Sequence, residues 1–148
     1  MKNGVFPVYE NQFKINTKGR EAGEQTKKTI ADMETFQPKI NGNVVEWDAI
    51  DQKGWKRRLM TGKDLSISFK GKRNIGDAGN DYIAGLALKN GTDVNSILDW
   101  TFPDGTIVSI PCVVNVTLCG GGESNDADGL EFEILSDGKP TITNAASK

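Results

Sequence analysis

The apolar positions of this 148-residue chain recur mostly at every second residue, the spacing of strands that bury one face. Leu130, Phe132 and Ile134 alternate with Glu131 and Glu133 in the cleanest run. Ile110, Cys112, Val114, Val116 and Leu118 hold one face through residues 107–118, and Leu98, Trp100 and Phe102 alternate with Asp99 and Thr101 just before them. Pro103-Asp104-Gly105 joins these runs with turn chemistry, since proline presets φ and glycine accepts a positive one. A hairpin is expected there. Leu65, Ile67 and Phe69 against Ser66, Ser68 and Lys70 form another strand pattern, and Val45, Trp47 and Ala49 against Glu46 and Asp48 a further one. Residues 55–60 follow Gly54 and are expected to pair with 45–49 in a long hairpin. Residues 30–36 alternate only weakly. Residues 5–15 carry Val5, Phe6, Val8, Tyr9, Phe13 and Ile15 with Pro7 near the start, which reads as an edge strand or as an arm that docks elsewhere.

One stretch changes period. Ile83, Leu86 and Ala87 stand at i, i+3 and i+4, predicting a helix over 80–89 with Asp77 or Asn80 as its cap. Lys89 suits its C-terminal end and Asn90-Gly91 stops it. Gly85 inside it costs about 1 kcal/mol relative to alanine, so close packing against a sheet is expected there. Residues 16–28 are polar and charged and read as a mobile loop. Gly120-Gly121-Gly122 opens a long acidic loop to Asp128, Asp137-Gly138 is a turn, and residues 141–148 read as a loose tail. About seven strands and one helix predict a single mainly β domain over 1–148, antiparallel, with one packed helix and residues 1–28 as a mobile N-terminal arm.

Composition narrows the chemistry. The chain has no histidine, which removes Ser-His-Asp and Cys-His triads, His-ligated metal sites and the usual neutral-pH proton shuttle. Its net charge of −2 conceals an asymmetry. Residues 1–73 hold 15 basic and 9 acidic side chains, a balance of +6, and residues 74–148 hold 3 and 11, a balance of −8. Either neighbouring strands carry different charges, or the molecule has a basic and an acidic surface that would stack head to tail on its own copies. Nucleic-acid binding normally brings a positive excess, which is absent. Cys112 and Cys119 are seven residues apart, roughly 23 Å along a strand. That is beyond the span of a disulfide, so two free thiols and a reducing site of synthesis are expected. The first residues show no apolar leader core, and no window approaches 18 consecutive apolar residues. A soluble protein made in the cytosol is the expectation, without a membrane partner.

Candidate sites fail on spacing. The glycine triplet with Ser124 lacks the phosphate-loop pattern and reads as a loop hinge, and Gly62-Lys63-Asp64 breaks that motif at its last position. Asp126-Ala127-Asp128-Gly129 suggests a calcium loop, but Leu135 stands where a bidentate acid is required. Lys53, Lys56, Arg57, Arg58, Lys63, Lys70, Lys72 and Arg73 cluster around Trp55. A single-stranded nucleic-acid surface would want more stacking aromatics, so a solvated strand face or a contact with an acidic partner surface fits better. No paired carboxylates can be placed for glycosidase chemistry. Catalytic residues, cofactors and metal ions are therefore not expected.

Three segments carry a resemblance: Glu46-Trp47 followed by residues 54–63 (GWKRRLMTGK), residues 69–82 (FKGKRNIGDAGNDY) and residues 129–140 (GLEFEILSDGKP). In this order and spacing the chain resembles the major tail tube proteins of long, non-contractile-tailed phages and prophages of Gram-positive bacteria, over residues 28–143. The middle segment is fairly specific, the last is a generic strand and turn, and the N-terminal arm departs most. The resemblance implies a two-sheet antiparallel β-sandwich or barrel with one flanking helix and a long protruding hairpin. It implies hexameric rings stacked into a hollow tube, with residues 44–60 as the hairpin that joins its neighbours around the lumen. DNA would pass through without specific binding. The subunit would sit in the virion after assembly in the host cytoplasm, beside tape-measure, terminator and distal tail proteins. Glu46, Trp47, Trp55, Lys56, Arg57, Arg58, Asp126 and Asp128 are the expected self-assembly residues. A monomeric or trimeric tail-tip module binding carbohydrate or a receptor, and the inner tube of a contractile tail or tail-like bacteriocin, are the alternatives.

Overall fold

The computed structural model describes residues 3–21 and 24–144. It contains strands β1 (Gln12–Asn16), β2 (Lys27–Thr29), β3 (Met33–Asp48) and β4 (Lys56–Lys72), then helix α1 (Ala78–Gly85), then β5 (Asn95–Thr101), β6 (Ile107–Cys119), β7 (Gly129–Ser136) and β8 (Thr141–Thr143). The strands form one 8-stranded sheet in the order β2-β1-β5-β6-β7-β4-β3, with β8 alongside β6. Every pairing is antiparallel. This is the mainly β antiparallel fold with one helix and a long hairpin that the alternation predicted.

Aromatic contacts show how one sheet supplies both layers. Phe13 on β1 meets Phe36 on β3 edge-on at 4.7 Å and Phe69 on β4 at 4.8 Å, although β1 and β3 lie far apart in the strand order. The two ends of the sheet therefore face each other across the core. Ile15, Ile67, Leu98, Ile110, Cys112, Leu130, Phe132 and Ile134 fill that core, almost wholly excluded from solvent. All but Ile15 are residues whose period-2 spacing marked them as inward-facing.

Three expectations change. The helix spans Ala78–Gly85 rather than 80–89, because Asp77 caps it by accepting a bond from the Asn80 backbone N–H at 3.0 Å, and the chain beyond Gly85 tightens into turns. Asn80 is a buried hub instead of a cap. Its Oδ1 accepts from Arg73 Nη1 (2.9 Å) and the Asn74 N–H (3.0 Å), and its Nδ2 donates to the carbonyls of Ala31 (3.1 Å) and Lys72 (2.9 Å). The helix is thereby clasped to the chain entering β3 and the chain leaving β4. Glycines make the close approach: a Cβ at Gly79 would fall 2.4 Å from the Thr29 carbonyl oxygen, and one at Gly71 2.3 Å from that of Asp32. Gly85, where close packing was expected, faces open space.

The second change is at the N-terminus. Residues 12–16 and 27–28, within the expected mobile arm of 1–28 although 5–15 also read as an edge strand, are strands of the sheet, and Ile15 and Asn16 are buried. Asn16 is buried because its polar atoms are satisfied: Nδ2 donates to the Glu21 carbonyl at 2.8 Å, and Oδ1 accepts from the Lys18 N–H at 2.9 Å and Thr26 Oγ1 at 2.7 Å. Third, residues 141–143 of the expected loose tail pair with β6 as β8. Met1, Lys2, Ala22, Gly23 and residues 145–148 lie outside the described residues.

Of the two charge readings, the ion pairs favour the first, since the two charge halves interleave. Lys27 pairs with Asp99 at 3.0 Å, Arg20 with Asp137 at 2.7 Å and Arg73 with Asp81 at 2.8 Å, each a first-half cation on a second-half acid. Lys70 stands opposite Glu131 across the β4–β7 pair. Part of the asymmetry is thus spent within the fold. Cys112 is buried and Cys119 exposed, and burial pushes the Cys112 thiol up to about 12.

Candidate assembly surface

β4 pairs with β7 only through residues 66–72, and β3 pairs with β4 alone along its whole length. Residues 39–65 therefore leave the body as a two-stranded ribbon, and no residue from 39 to 64 is buried. An isolated hairpin is marginal in water, and both strands of this one present unpaired backbone N–H and C=O groups along their outer edges.

Local chemistry sets the ribbon's shape. The register steps from Asn43↔Gly62 to Val44↔Met60, so Thr61 is an extra residue on β4. Asn43 Nδ2 donates to Thr61 Oγ1 at 2.8 Å, and Thr61 Oγ1 donates to the Asn43 carbonyl at 3.1 Å, pinning this bulge. At the tip, a 3-10 turn at Ile50–Gln52 is followed by Lys53 at φ 53° and Gly54 at φ 96°, which reverse the chain.

Six of the eight residues singled out in the sequence lie on this ribbon. Arg58 Nε donates to Glu46 Oε2 at 2.8 Å, and the Arg57 guanidinium lies 5.6 Å from the centre of the Trp47 ring. Lys56 Nζ pairs with Asp48 Oδ2 at 3.3 Å. The hydrogen bond from Arg58, and then its charge, hold the Glu46 carboxyl below the ordinary carboxylate range. Trp55 stands in the turn, largely exposed. Asp126 and Asp128 belong to the β6–β7 connection and close that loop instead. Asp126 Oδ2 accepts the Glu123 N–H at 2.9 Å, Asp128 Oδ1 accepts the Gly121 N–H at 3.4 Å, and the Asp128 carbonyl accepts the Arg73 N–H at 2.9 Å.

The charged residues drew attention in the sequence, and the apolar ones beside them did not. Val44, Val45, Leu59 and Met60 are all exposed on the ribbon. The signal was present in two adjacent pairs, Val44-Val45 and Leu59-Met60, since neighbouring strand residues point to opposite faces. At the ribbon's base an open groove of about 710 Å³ is lined by Ile40, Leu65, Trp100, Phe102, Pro140 and Ile142, with Lys63, Asp64 and Lys139 at its rim. Among the described residues, no group of three His, Cys, Asp or Glu side chains could hold a metal ion, and no helix is long and apolar enough to cross a membrane.

No known protein family and no curated protein matches the chain by sequence. Solved structures do match by shape. A chain from the tail of an empty gene transfer agent particle, refined with C6 symmetry, superposes with a TM-score of 0.74 at 19% identity, covering 94% of this chain and 99% of that one. A chain from the sheath–tube complex of an extracellular contractile injection system in its extended state gives 0.58 at 14%, covering 95% and 93%. A chain from the cap terminating the tube of the anti-feeding prophage gives 0.61 at 13%, covering 98% and 95%. At these identities the likeness is one of fold, and it spans nearly the whole length on both sides.

Proposed function

We propose that this chain is a structural subunit of a phage-type tail tube. It would assemble into hexameric rings that stack as the hollow conduit for DNA ejection, in a virion tail built in the host cytoplasm. The observation that carries this reading is the ribbon: two unpaired edges and exposed apolar residues on both faces, on a fold shared with chains of tail and tube particles. Pairing each edge with the next copy removes the exposed-edge liability. A contact between unlike patches closes into a ring when its rotation allows, while axial stacking remains open.

On this reading residues 44–60 line the lumen, and Glu46, Trp47, Trp55, Lys56, Arg57 and Arg58 act in assembly, with Asp126 and Asp128 ordering a loop that meets neighbours. DNA passes without specific binding, and tape-measure, terminator and distal tail proteins are the other partners. The subunit supplies no catalysis and needs no cofactor. The resemblance in residues 28–143 favours a non-contractile tail. The fold likeness to the contractile sheath–tube complex favours, as a second reading, the inner tube of a contractile particle. Electron microscopy of the concentrated purified protein tests the proposal. Tubes or six-fold rings are expected, and a monodisperse monomer that never assembles, alone or with tail proteins, overturns it.

A further inference from the structure

The register identifies which side of the ribbon another copy covers. From Phe36 onward β3 carries no extra residue, so its even-numbered residues share one side and its odd-numbered residues the other. In the body, the even side bears Phe36 and Pro38 opposite Phe69 and Ile67 and faces the core. The odd side bears Gln37 and Lys39 opposite Ser68 and Ser66 and is polar. Past the Thr61 bulge the two sides exchange character. The even side, after Val44 and Met60, carries the pairs Glu46–Arg58 and Asp48–Lys56, whose charges cancel. The odd side carries Val45 opposite Leu59 and Trp47 opposite Arg57, with the guanidinium laid on the indole. Val45, Trp47 and Leu59 are 45%, 40% and 57% exposed, covered by no further strand among the described residues.

The chain's own groove cannot cover that patch. Its lip is formed by Ile40 and Leu65 at the base of the same ribbon, and Trp47 stands seven residues farther along, roughly 23 Å away on an extended strand. A second copy offers the same groove, open and apolar. We infer, resting on the tube reading, that the side bearing Val45, Trp47 and Leu59 seats in the groove of Ile40, Phe102, Pro140 and Ile142 on a second copy. The ion-paired side is left on the water-filled channel. Patch and groove are different surfaces of one chain, so the contact is heterologous and each copy can receive one ribbon while donating its own. The neutralised pairs are what a wall needs if it must stay wetted without holding a polyanion.

Cysteine accessibility tests the assignment. In a Cys119→Ser background, where only the buried Cys112 remains, Val45→Cys, Leu59→Cys, Asp48→Cys and Ile142→Cys are each co-assembled as a minority with chains carrying Cys119→Ser alone, so that no variant need assemble alone. Labelling with a small maleimide is compared between monomer and assembled particles. Positions 45, 59 and 142 are expected to label roughly tenfold or more slowly after assembly, and position 48 at about its monomer rate. Particles in which 48 is protected while 45 and 59 stay reactive overturn the inference and leave the tube reading standing. Wild-type protein that forms no particles overturns both.

Discussion

β3 and β4 run through two regions that obey different rules. In the body, Phe36, Ile67 and Phe69 pack against β1, β7 and Trp100, and the strands' apolar residues are buried by their own chain. In the ribbon the same strands continue the same pairing, yet Val44, Val45, Leu59 and Met60 stay in solvent. The hydrogen-bond ladder is unbroken across the boundary except at Thr61, so backbone pairing does not separate the regions. What separates them is whether a third strand lies alongside. An apolar residue reports on folding where its chain covers it, and on association where its chain does not.

The largest effect should come from a large-to-small substitution on each side of that boundary. Phe69→Ala, stacked on Phe132 at 4.8 Å and fully buried, is expected to destabilise the monomer by about 3–5 kcal/mol in a denaturant titration. Leu59→Ala, ten residues up the same strand, should change it by no more than about 0.5 kcal/mol. Comparable losses at the two positions would show that the ribbon is part of the monomer's cooperative fold.

The clasp on the helix should come next. Asn80→Ala leaves the carbonyls of Ala31 and Lys72 without their amide donor and removes the acceptor of Arg73 and Asn74. A loss of about 2–3 kcal/mol is expected, since orphaning buried polar groups costs more than the bonds were worth. Cys112 supplies a pH readout confined to the body. Its thiol titrates at about 12 when folded, against an ordinary 9.0. Between those values the unfolded chain releases a proton that the folded one keeps, so stability should fall with rising pH by up to about 1.4 kcal/mol per pH unit. Cys112→Ala should flatten that limb of the curve.

Much of the body was legible in the sequence because it follows one rule: apolar inside, polar outside, period two. The strand of Leu130, Phe132 and Ile134 and the two strands joined by Pro103-Asp104-Gly105 obey it, while the cap at Asp77 was legible from its side-chain chemistry. β1 was legible only as one of two readings and β2 escaped, because Asn16 is a polar residue on the inside, held there by partners at Lys18, Glu21 and Thr26 that pattern does not display. The ribbon was legible as a hairpin in residues 44–60, but its length was not. Gly42 and Gly62 look like punctuation and instead lie within continuous strands. The pairing of Glu46 with Arg58 depends on a bulge at Thr61 that shifts every partner beyond it, and no spacing in the sequence announces that shift.

Reversing the basic pair of the ribbon separates folding from association. Arg57→Glu with Arg58→Glu removes the guanidinium from Trp47 and sets like charges beside Glu46 and Asp48, all in the exposed part of the strand. The monomer's circular dichroism and thermal midpoint should stay close to wild type, because no buried group loses a partner. Particle formation seen by electron microscopy should fail or fall sharply. Normal tubes from this double variant would remove the basic cluster from the assembly surface.

The smallest effect is a titration that distinguishes two exposed carboxyls by their region. Glu46 in the ribbon is held below the ordinary range chiefly by its bond from Arg58, and Asp81 in the body chiefly by its bond from Arg73. A depressed folded value means that each contribution is present above the ordinary carboxylate range and is lost as pH falls through the depressed value. Both groups face solvent, so acid should loosen each locally and leave the core intact. Carboxyl NMR can follow them separately. Arg58→Ala should return Glu46 to near its ordinary value and leave Asp81 where it was, because the cations that lower Glu46, Arg58 and Lys56, both lie on the ribbon. If Asp81 moved as well, the ribbon would be coupled to the helix clasp at the far end of β3 and β4. Loosening the tip would then reach the helix, and the two regions would be one cooperative unit in spite of their different burial.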